Sequence, residues 1–254
     1  MRRFGKIALF LLLALISGFA SAQAAPGTDG WLRVITINVQ GLPWPMNRSS
    51  NATLQAIARE LHRLQPDVVL VQEAFTEDAQ RILKAGWRYS YGPTLGGIAP
   101  LTSGLIILSR HPMRDGKFLR FGIDSCAGID CMADKGVLYA RMGDIHIFNT
   151  HMNAREASED PNWPQERREQ AAKARRFIQQ MAGPHAIIGG DFNGAPSAPE
   201  VRSIVAGLNM RTYSFNRWDH IFTRGFAPGH AGFLVRGLSD HDGLGVVMPW
   251  PSPR

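Results

Sequence analysis

The hydrophobic positions of this chain switch repeatedly between the period of a strand and the period of a helix. Val34-Ile35-Thr36-Ile37-Asn38-Val39 is a β-branched run that stops at the breaker cluster Gly41-Leu42-Pro43. Leu54, Ile57, Ala58, Leu61 and Leu64 then recur at helical spacing, with Ser50, Asn51 or Thr53 available as a cap, which predicts an amphipathic helix closed by Pro66-Asp67. Val68-Val69-Leu70-Val71 follows as an unbroken apolar run, the pattern of a strand buried on both faces. Further strand-like runs fall at 104–108, 136–140, 145–150 and 186–188. A second helix over 165–181 carries Ala171, Ala174, Phe177, Ile178 and Met181 as its inner stripe. Strands alternating with helices predict an α/β protein with buried sheets and outer helices.

The composition, 44% apolar and 19% charged over 254 residues, excludes global disorder. With no internal repeat or obvious linker, residues 25–254 read as one domain. Residues 1–24 read differently. Arg2, Arg3 and Lys6 precede the apolar run at 7–16, and the small residues Ala20-Ser21-Ala22 follow it, which is the pattern of a secretory signal peptide. The apolar core is too short for a spanning anchor, so the mature chain is expected to have no transmembrane segment and to be periplasmic or secreted. Removing those three cations takes the formal net charge from +7 to +4, mildly basic.

Export changes the reading of Cys126 and Cys131, the only two cysteines. An oxidising compartment favours a small-loop disulfide between them, with an incomplete zinc set or two free thiols as alternatives. Asn47 and Asn51 open Asn-x-Ser/Thr triplets, read here as turn and cap chemistry rather than as glycan acceptors.

The candidate chemistry sits where strands stop. Glu73 follows 68–71, His151 follows the run beginning at Ile145, and Asp191 and Asn193 follow Ile187-Ile188. Asp219 precedes Ile221-Phe222, and Asp240-His241 precedes the apolar run at 243–247. Each alone is an ordinary strand terminus. Together they suggest a site assembled at sheet ends. Carboxylates and carboxamides without thiolates suit a hard cation such as Mg²⁺, with Mn²⁺ as an alternative, and the histidines would handle protons and phosphate oxygens.

The order of the segments ITINVQG, VVLVQEAF, SGLIILSRHP, NTHMNA, GGDFN, RWDHIF and LSDHDGL resembles the endonuclease/exonuclease/phosphatase superfamily, the metal-dependent phosphoesterases that include DNase I-like nucleases, inositol polyphosphate phosphatases and neutral sphingomyelinases. The resemblance implies a four-layered α/β sandwich, two central mixed β-sheets flanked by helices, with the site at one end of the sheets. It implies Glu73 as principal metal ligand, helped by Asn38, with Asp240 completing the metal-side carboxylates. Asp191 and Asn193 would orient the attacking water and hold a phosphate oxygen, and His151 would contact the phosphoryl group. His241 would be general base or charge-stabilising partner, oriented by Asp219. Which of Asp191 and His241 takes the proton stays open.

The resemblance implies a phosphodiester substrate, in a phospholipid or a nucleic acid. The segment from Ser103 to Pro112 and the strand after Lys135, which would lie beside the substrate, resemble the sphingomyelinase branch. Trp44 and Trp163 read first as loop residues packed on the domain surface, with interfacial anchoring for peripheral membrane contact as the alternative. The alternatives are an extracellular DNase I-like endonuclease, an inositol phosphate phosphatase, and a non-catalytic lipid- or protein-binding member. Arg167, Arg168, Lys173, Arg175 and Arg176 are the densest basic cluster, but among Glu166 and Glu169 they read as a solvated helix face rather than a nucleic-acid track. No protein partner is evident.

Overall fold

Two six-stranded mixed sheets face each other, each covered on its outer side by a pair of helices. The computed structural model describes residues 29–46, 49–93, 99–126, 128–154 and 163–251. The expected signal peptide, the Asn47 triplet and the side chain of Trp163 lie outside the described residues. In chain order the elements are β1 (Trp31–Gly41), α1 (Asn51–Leu64), β2 (Val68–Ala74), α2 (Glu77–Lys84), β3 (Tyr89–Tyr91), β4 (Ile106–Ser109), β5 (Arg114–Arg120) and β6 (Gly136–Met142). They continue with β7 (Ile145–His151), α3 (Trp163–Met181), β8 (His185–Asp191), α4 (Pro199–Val205), β9 (Arg211–Ser214), β10 (Asp219–Arg224), β11 (His230–Leu234) and β12 (Gly243–Pro249). The strand orders are β11-β12-β1-β2-β4-β3 and β5-β6-β7-β8-β10-β9. Among the described strands, β1–β2 and β7–β8 run parallel and the other pairs antiparallel.

Strand alternation divides the apolar residues into three layers. Val34, Val68, Leu70, Ile107, Ile147, Ile187, Ile221, Leu244 and Val246 fill the space between the sheets. Ile35, Ile37, Val69 and Val71 point the other way, onto Leu54, Ile57 and Leu61 of α1 and Ile82 and Leu83 of α2. Phe148, Ile188 and Phe222 meet Ala171, Ala174 and Ile178 of α3 and Val201 and Ile204 of α4. The long runs predicted as strands are these two-sided ones. The short helices α2 and α4 and the outer strands β3, β5, β9 and β11 had no equivalent in the sequence reading, because a half-exposed edge such as β5 carries a mixed pattern.

Local signals place the ends. Ser50 caps α1 by accepting the Thr53 N–H at 3.1 Å, and left-handed Gln65 closes the helix with its N–H on the Leu61 carbonyl. Cys126 and Cys131 are joined in a disulfide.

Gly190 allows the sheets' polar end to form. Its φ is +146°, and a Cβ there would lie 2.0 Å from the Thr150 carbonyl oxygen on β7. Gly190→Ala is expected to lower the unfolding free energy by roughly 2–4 kcal/mol, measured by urea denaturation, because strain and a backbone clash combine.

Candidate active site

Strand register brings the polar residues together. His151 is the pairing partner of Asp191 across β7–β8, and Asp191 is the partner of Asp219 across β8–β10. Neighbouring strands lie about 4.8 Å apart, so the three form one row across the second sheet. Each lies at an even step from an inter-sheet residue, Ile147, Ile187 or Ile221, so all three share the face toward the first sheet. Asn38 and Gln72 are partners across β1–β2 and face them, in phase with Val34 and Val68. The inter-sheet core thus changes from apolar to polar at one end.

A layer of amides marks the boundary. Gln72 Nε2 donates to Asn149 Oδ1 at 2.6 Å and to Thr36 Oγ1 at 3.1 Å, while Asn149 Nδ2 donates to the carbonyls of Val71 at 2.8 Å and Ile106 at 3.0 Å. These buried bonds tie the sheets directly beneath the site.

Alternation alone would send Glu73 toward the helices with Val69 and Val71. The β1–β2 register shifts between Asn38 and Gly41, and Gln40 and Glu73 adopt φ values of +49° and +59°. This bulge turns the Glu73 carboxylate back to Asn38, whose Nδ2 donates to Glu73 Oε1 at 2.8 Å and to Asp191 Oδ2 at 3.1 Å. Glu73 Oε1 and Asp191 Oδ2 lie 3.8 and 3.7 Å from His151 Nε2. That nitrogen accepts from Lys135 Nζ at 3.1 Å, and Lys135 is itself buried against Asp130 Oδ1 at 2.7 Å and the Met152 carbonyl at 3.0 Å. His241 comes from the loop before β12. Its Nδ1 meets Asp219 Oδ2 at 2.7 Å, and its Nε2 lies 3.9 Å from Asp191 Oδ2. Asn216 Nδ2 supports Asp219 at 2.9 Å, and Trp218 lies 5.4 Å from the His241 ring. Asn193 donates its N–H to Asp191 Oδ1 at 2.9 Å and its side-chain amide to the Met152 carbonyl.

Burial sets the electrostatics. Desolvation, against the Asn38 bond and the Lys135 charge, pushes Glu73 up to about 7, with Asp191 and Asp240 adding repulsion. Desolvation and Lys135 push His151 down to about 3, so it is neutral, and with Nε2 accepting, its proton sits on Nδ1. Burial works against charge on His241, but the bond and field of Asp219 outweigh it and push His241 up to about 10. Burial raises Asp219 to about 6 even with that bond, so at neutral pH the two form an imidazolium–carboxylate pair.

The donor set fits a small hard cation. Glu73, His151 and Asp191 offer ligand atoms within 4.8 Å of one another, and Asp191, Asp219 and His241 form a second such group. With His151 Nε2 taken by Lys135, the carboxylates of Glu73 and Asp191 are the available ligands, both oxygen donors. Asn38 presents its nitrogen to them while its Oδ1 accepts from the Gln40 N–H at 3.1 Å, so its use as a ligand requires the amide to turn over. Asp240 is exposed, takes the Gln40 side-chain amide and stands outside both groups. Beside Glu73, Lys135 and His151 opens a cavity of about 440 Å³ whose walls include Leu42, Met46, Phe75, Leu101, Ile129 and Met132.

Residues 35–241 match the endonuclease/exonuclease/phosphatase family. The chain belongs to that family. The sphingomyelinase C of Leptospira interrogans is 27% identical over 217 residues, 74% of this chain but 39% of that protein. The chain spans about two-fifths or less of the curated relatives it matches. Among solved structures, SmcL superposes with a TM-score of 0.71 at 19% identity, covering 87% of this chain and 99% of its own. A mutant beta toxin of Staphylococcus aureus containing bound magnesium ions superposes at 0.67 with 17% identity, covering 85% and 98%. The four-layered family fold is the one expected from the motifs.

In the SRHP segment, His111 Nε2 meets Asp67 Oδ1 at 2.7 Å at the opposite end of β2 from Glu73. The basic helix is not uniformly solvated as expected. Arg168, Arg175 and Arg176 are exposed, but Arg167 is buried and Lys173 is half-buried on Ser125 and Asp124, because these two fall on the face turned to the sheet loops. Gln40, Gln72, Asp130, Asn149 and Asn216 were missed. Four of them lie within or beside the motifs, while Asp130 lies between the two cysteines and carried no signal of its own.

In EDTA, Glu73→Gln is expected to stabilise the protein by roughly 1–3 kcal/mol above neutral pH, since the native carboxylate is harder to ionise than the unfolded one. The gain should vanish as pH falls to 4.5, the unfolded value, and urea midpoints across that range check it. The opposite sign holds for His241. Its raised value makes the pair's stabilisation complete below 6.5 and lost as pH rises through about 10, so the midpoint gap between wild type and His241→Gln should narrow over that window.

Proposed function

We propose that this chain is the precursor of an exported, Mg²⁺-dependent phosphodiesterase acting on phospholipid headgroups in the manner of a sphingomyelinase. The observation that carries the reading is the convergence of Glu73, Asn38, Asp191, His151 and the Asp219–His241 pair at one end of the sheets, beside an apolar-walled cavity. Export rests on the basic, apolar and small-residue pattern of positions 1–24. No helix among the described residues is long and apolar enough to cross a membrane.

Glu73 and Asp191, with Asn38 turned to present its oxygen, would hold the cation. When bound, the cation supplies Lewis-acid stabilisation of charge developing on the phosphoryl oxygens. Asp191 orients the attacking water, held in place by the Asn193 N–H. Asp219 accepts a hydrogen bond from the Nδ1–H of His241 and leaves Nε2 facing Asp191 and the water. Protonated, that nitrogen donates to a phosphoryl oxygen; deprotonated, it accepts the proton of the water. Burial, with Lys135, keeps His151 neutral, and Lys135 adds a buried positive charge on the substrate side.

The lipid preference rests on the surroundings of the site. Trp44, Ile129, Met132 and Phe215 are exposed large apolar side chains in connections at the site end of the sheets, Ile129 and Met132 on a short 3-10 turn, suited to a headgroup interface. A nuclease would need a basic track there, and the exposed arginines of α3 lie on the helix's outer face.

With Mg²⁺ the mature protein is expected to cleave sphingomyelin liposomes, to stop in EDTA, and to leave plasmid DNA and inositol phosphates intact. Glu73→Ala should reduce turnover at least about 100-fold. Headgroup release and gel analysis of the plasmid check this. Cleavage of plasmid alone would replace the substrate, and full activity of Glu73→Ala would remove the metal assignment.

A further inference from the structure

The last backbone bond between β7 and β8, from the Met152 N–H to the Asp191 carbonyl at 3.0 Å, lies level with the His151–Asp191 pair. Past that point the two chains are tied by side chains. Asn193 Nδ2 reaches the Met152 carbonyl at 2.9 Å, and the guanidinium of Arg167, reaching in from α3, spans the next position. Its Nη1 donates to the Asn153 carbonyl and its Nη2 to the Phe192 carbonyl at 3.0 Å. Nε and Nη2 also reach Glu200 Oε1 on α4, at 3.2 and 3.1 Å. Asn153 lies two residues beyond His151, and Phe192 lies between Asp191 and Asn193. A single planar fork therefore takes the place of the missing ladder rung, and a carboxylate neutralises it and fixes its plane.

Two neighbours support the arrangement. One turn along α3, Gln170 Oε1 accepts the Asn153 N–H at 3.0 Å, and its Nε2 donates to the Ser125 carbonyl at 2.6 Å. At Gly194, a Cβ would stand 2.9 Å from Arg167 Nη2, so the glycine leaves room for the fork.

We propose that Arg167 is a positioning residue for hydrolysis: by holding both carbonyls it sets the spacing of the two segments that leave the sheet just past His151 on β7 and Asp191 on β8, and with them the placement of Asn193 and the ends of the two strands. It touches neither substrate nor cation. The proposal rests on the phosphodiesterase reading, since a binding protein would have no rate for Arg167 to govern. A lysine keeps the charge but reaches as a single point where the guanidinium spans two acceptors. Misplacement of reacting groups by about 1 Å costs on the order of 100-fold in rate.

The test compares wild type, Arg167→Lys, Arg167→Ala and Gly194→Ala in Mg²⁺-dependent turnover and in amide hydrogen exchange followed by mass spectrometry. Arg167→Lys is expected to lose at least about tenfold in kcat with KM within about threefold. Exchange should quicken at 151–154 and 191–194 and stay unchanged in β1, β2 and β12. Gly194→Ala should give a weaker version of the same pattern. Guanidinium ion should restore part of the kcat of Arg167→Ala and none to Glu73→Ala. If Arg167→Ala fails to fold, the lysine and Gly194 variants decide the matter. Wild-type kcat in Arg167→Lys, or protection lost evenly over both sheets, would overturn the proposal. If the wild type cleaves no phosphodiester, the hydrolytic reading fails, and exchange confined to the two loops would still identify the clamp.

Discussion

Three carboxylates, Glu73, Asp191 and Asp219, are buried at one end of a two-sheet core, and much of the local structure exists to make that tolerable. Ionised acids in a low-dielectric interior repel one another and resist losing water. The chain answers with an amide wedged between two of them, an imidazolium against the third and a lysine one residue away from the cluster. What compensation remains unmet is greatest at Glu73, whose carboxyl is pushed up to about 7, and that residue is the one best suited to receive a cation. Stability and function are opposed there: the protonated or amide form suits the fold, the ionised form suits the chemistry.

The rest of the molecule supplies rigidity to a site whose parts come from six separate segments. Below it, the Gln72–Asn149–Thr36 layer fixes the spacing of the two sheets. Beside it, Asp130 reaches Lys135 from the short loop closed by the Cys126–Cys131 disulfide, so that the wall of the cavity and the charge at its floor are mechanically linked. Behind it, α3 presents Arg167, Gln170 and Lys173 on one face, three polar residues that hold loop backbones where an amphipathic helix would ordinarily bury more aliphatic surface. A helix so used contributes to the site by placement rather than by contact with the reacting groups.

The framework was legible because its signals are local and strong. Unbroken runs such as 68–71 and 105–108 can be satisfied only in strands covered on both sides, and the stripe Ala171, Ala174, Ile178 can be satisfied only on a sheet-facing helix. The polar residues that end those runs were legible for the same reason: an apolar strand that stops in Glu, His or Asp stands out. Residues with less contrast escaped. Asn149 and Gln72 look like ordinary strand polar positions until the other sheet is seen above them, and Asn216 lies in a turn where Asn is commonplace. Arg167 was misread for a related reason, since a helix rich in Arg and Glu has the composition of a solvated face and only two of its basic side chains turn inward.

By itself the order of residues determined the two-sided strands, the two long helices, the family and most of the groups able to bind a cation or carry a proton, because these depend on short-range periodicity and motif. Tertiary structure alone decided which of those groups meet. A bulge of one residue opposite Glu73 reversed the side of the sheet on which its carboxylate appears, and Asp240 meets the Gln40 side-chain amide at the bulged strand. Such outcomes depend on pairing register and inter-sheet spacing, quantities set jointly by residues up to two hundred positions apart, as in the Gln40–Asp240 contact, and invisible to any window along the chain.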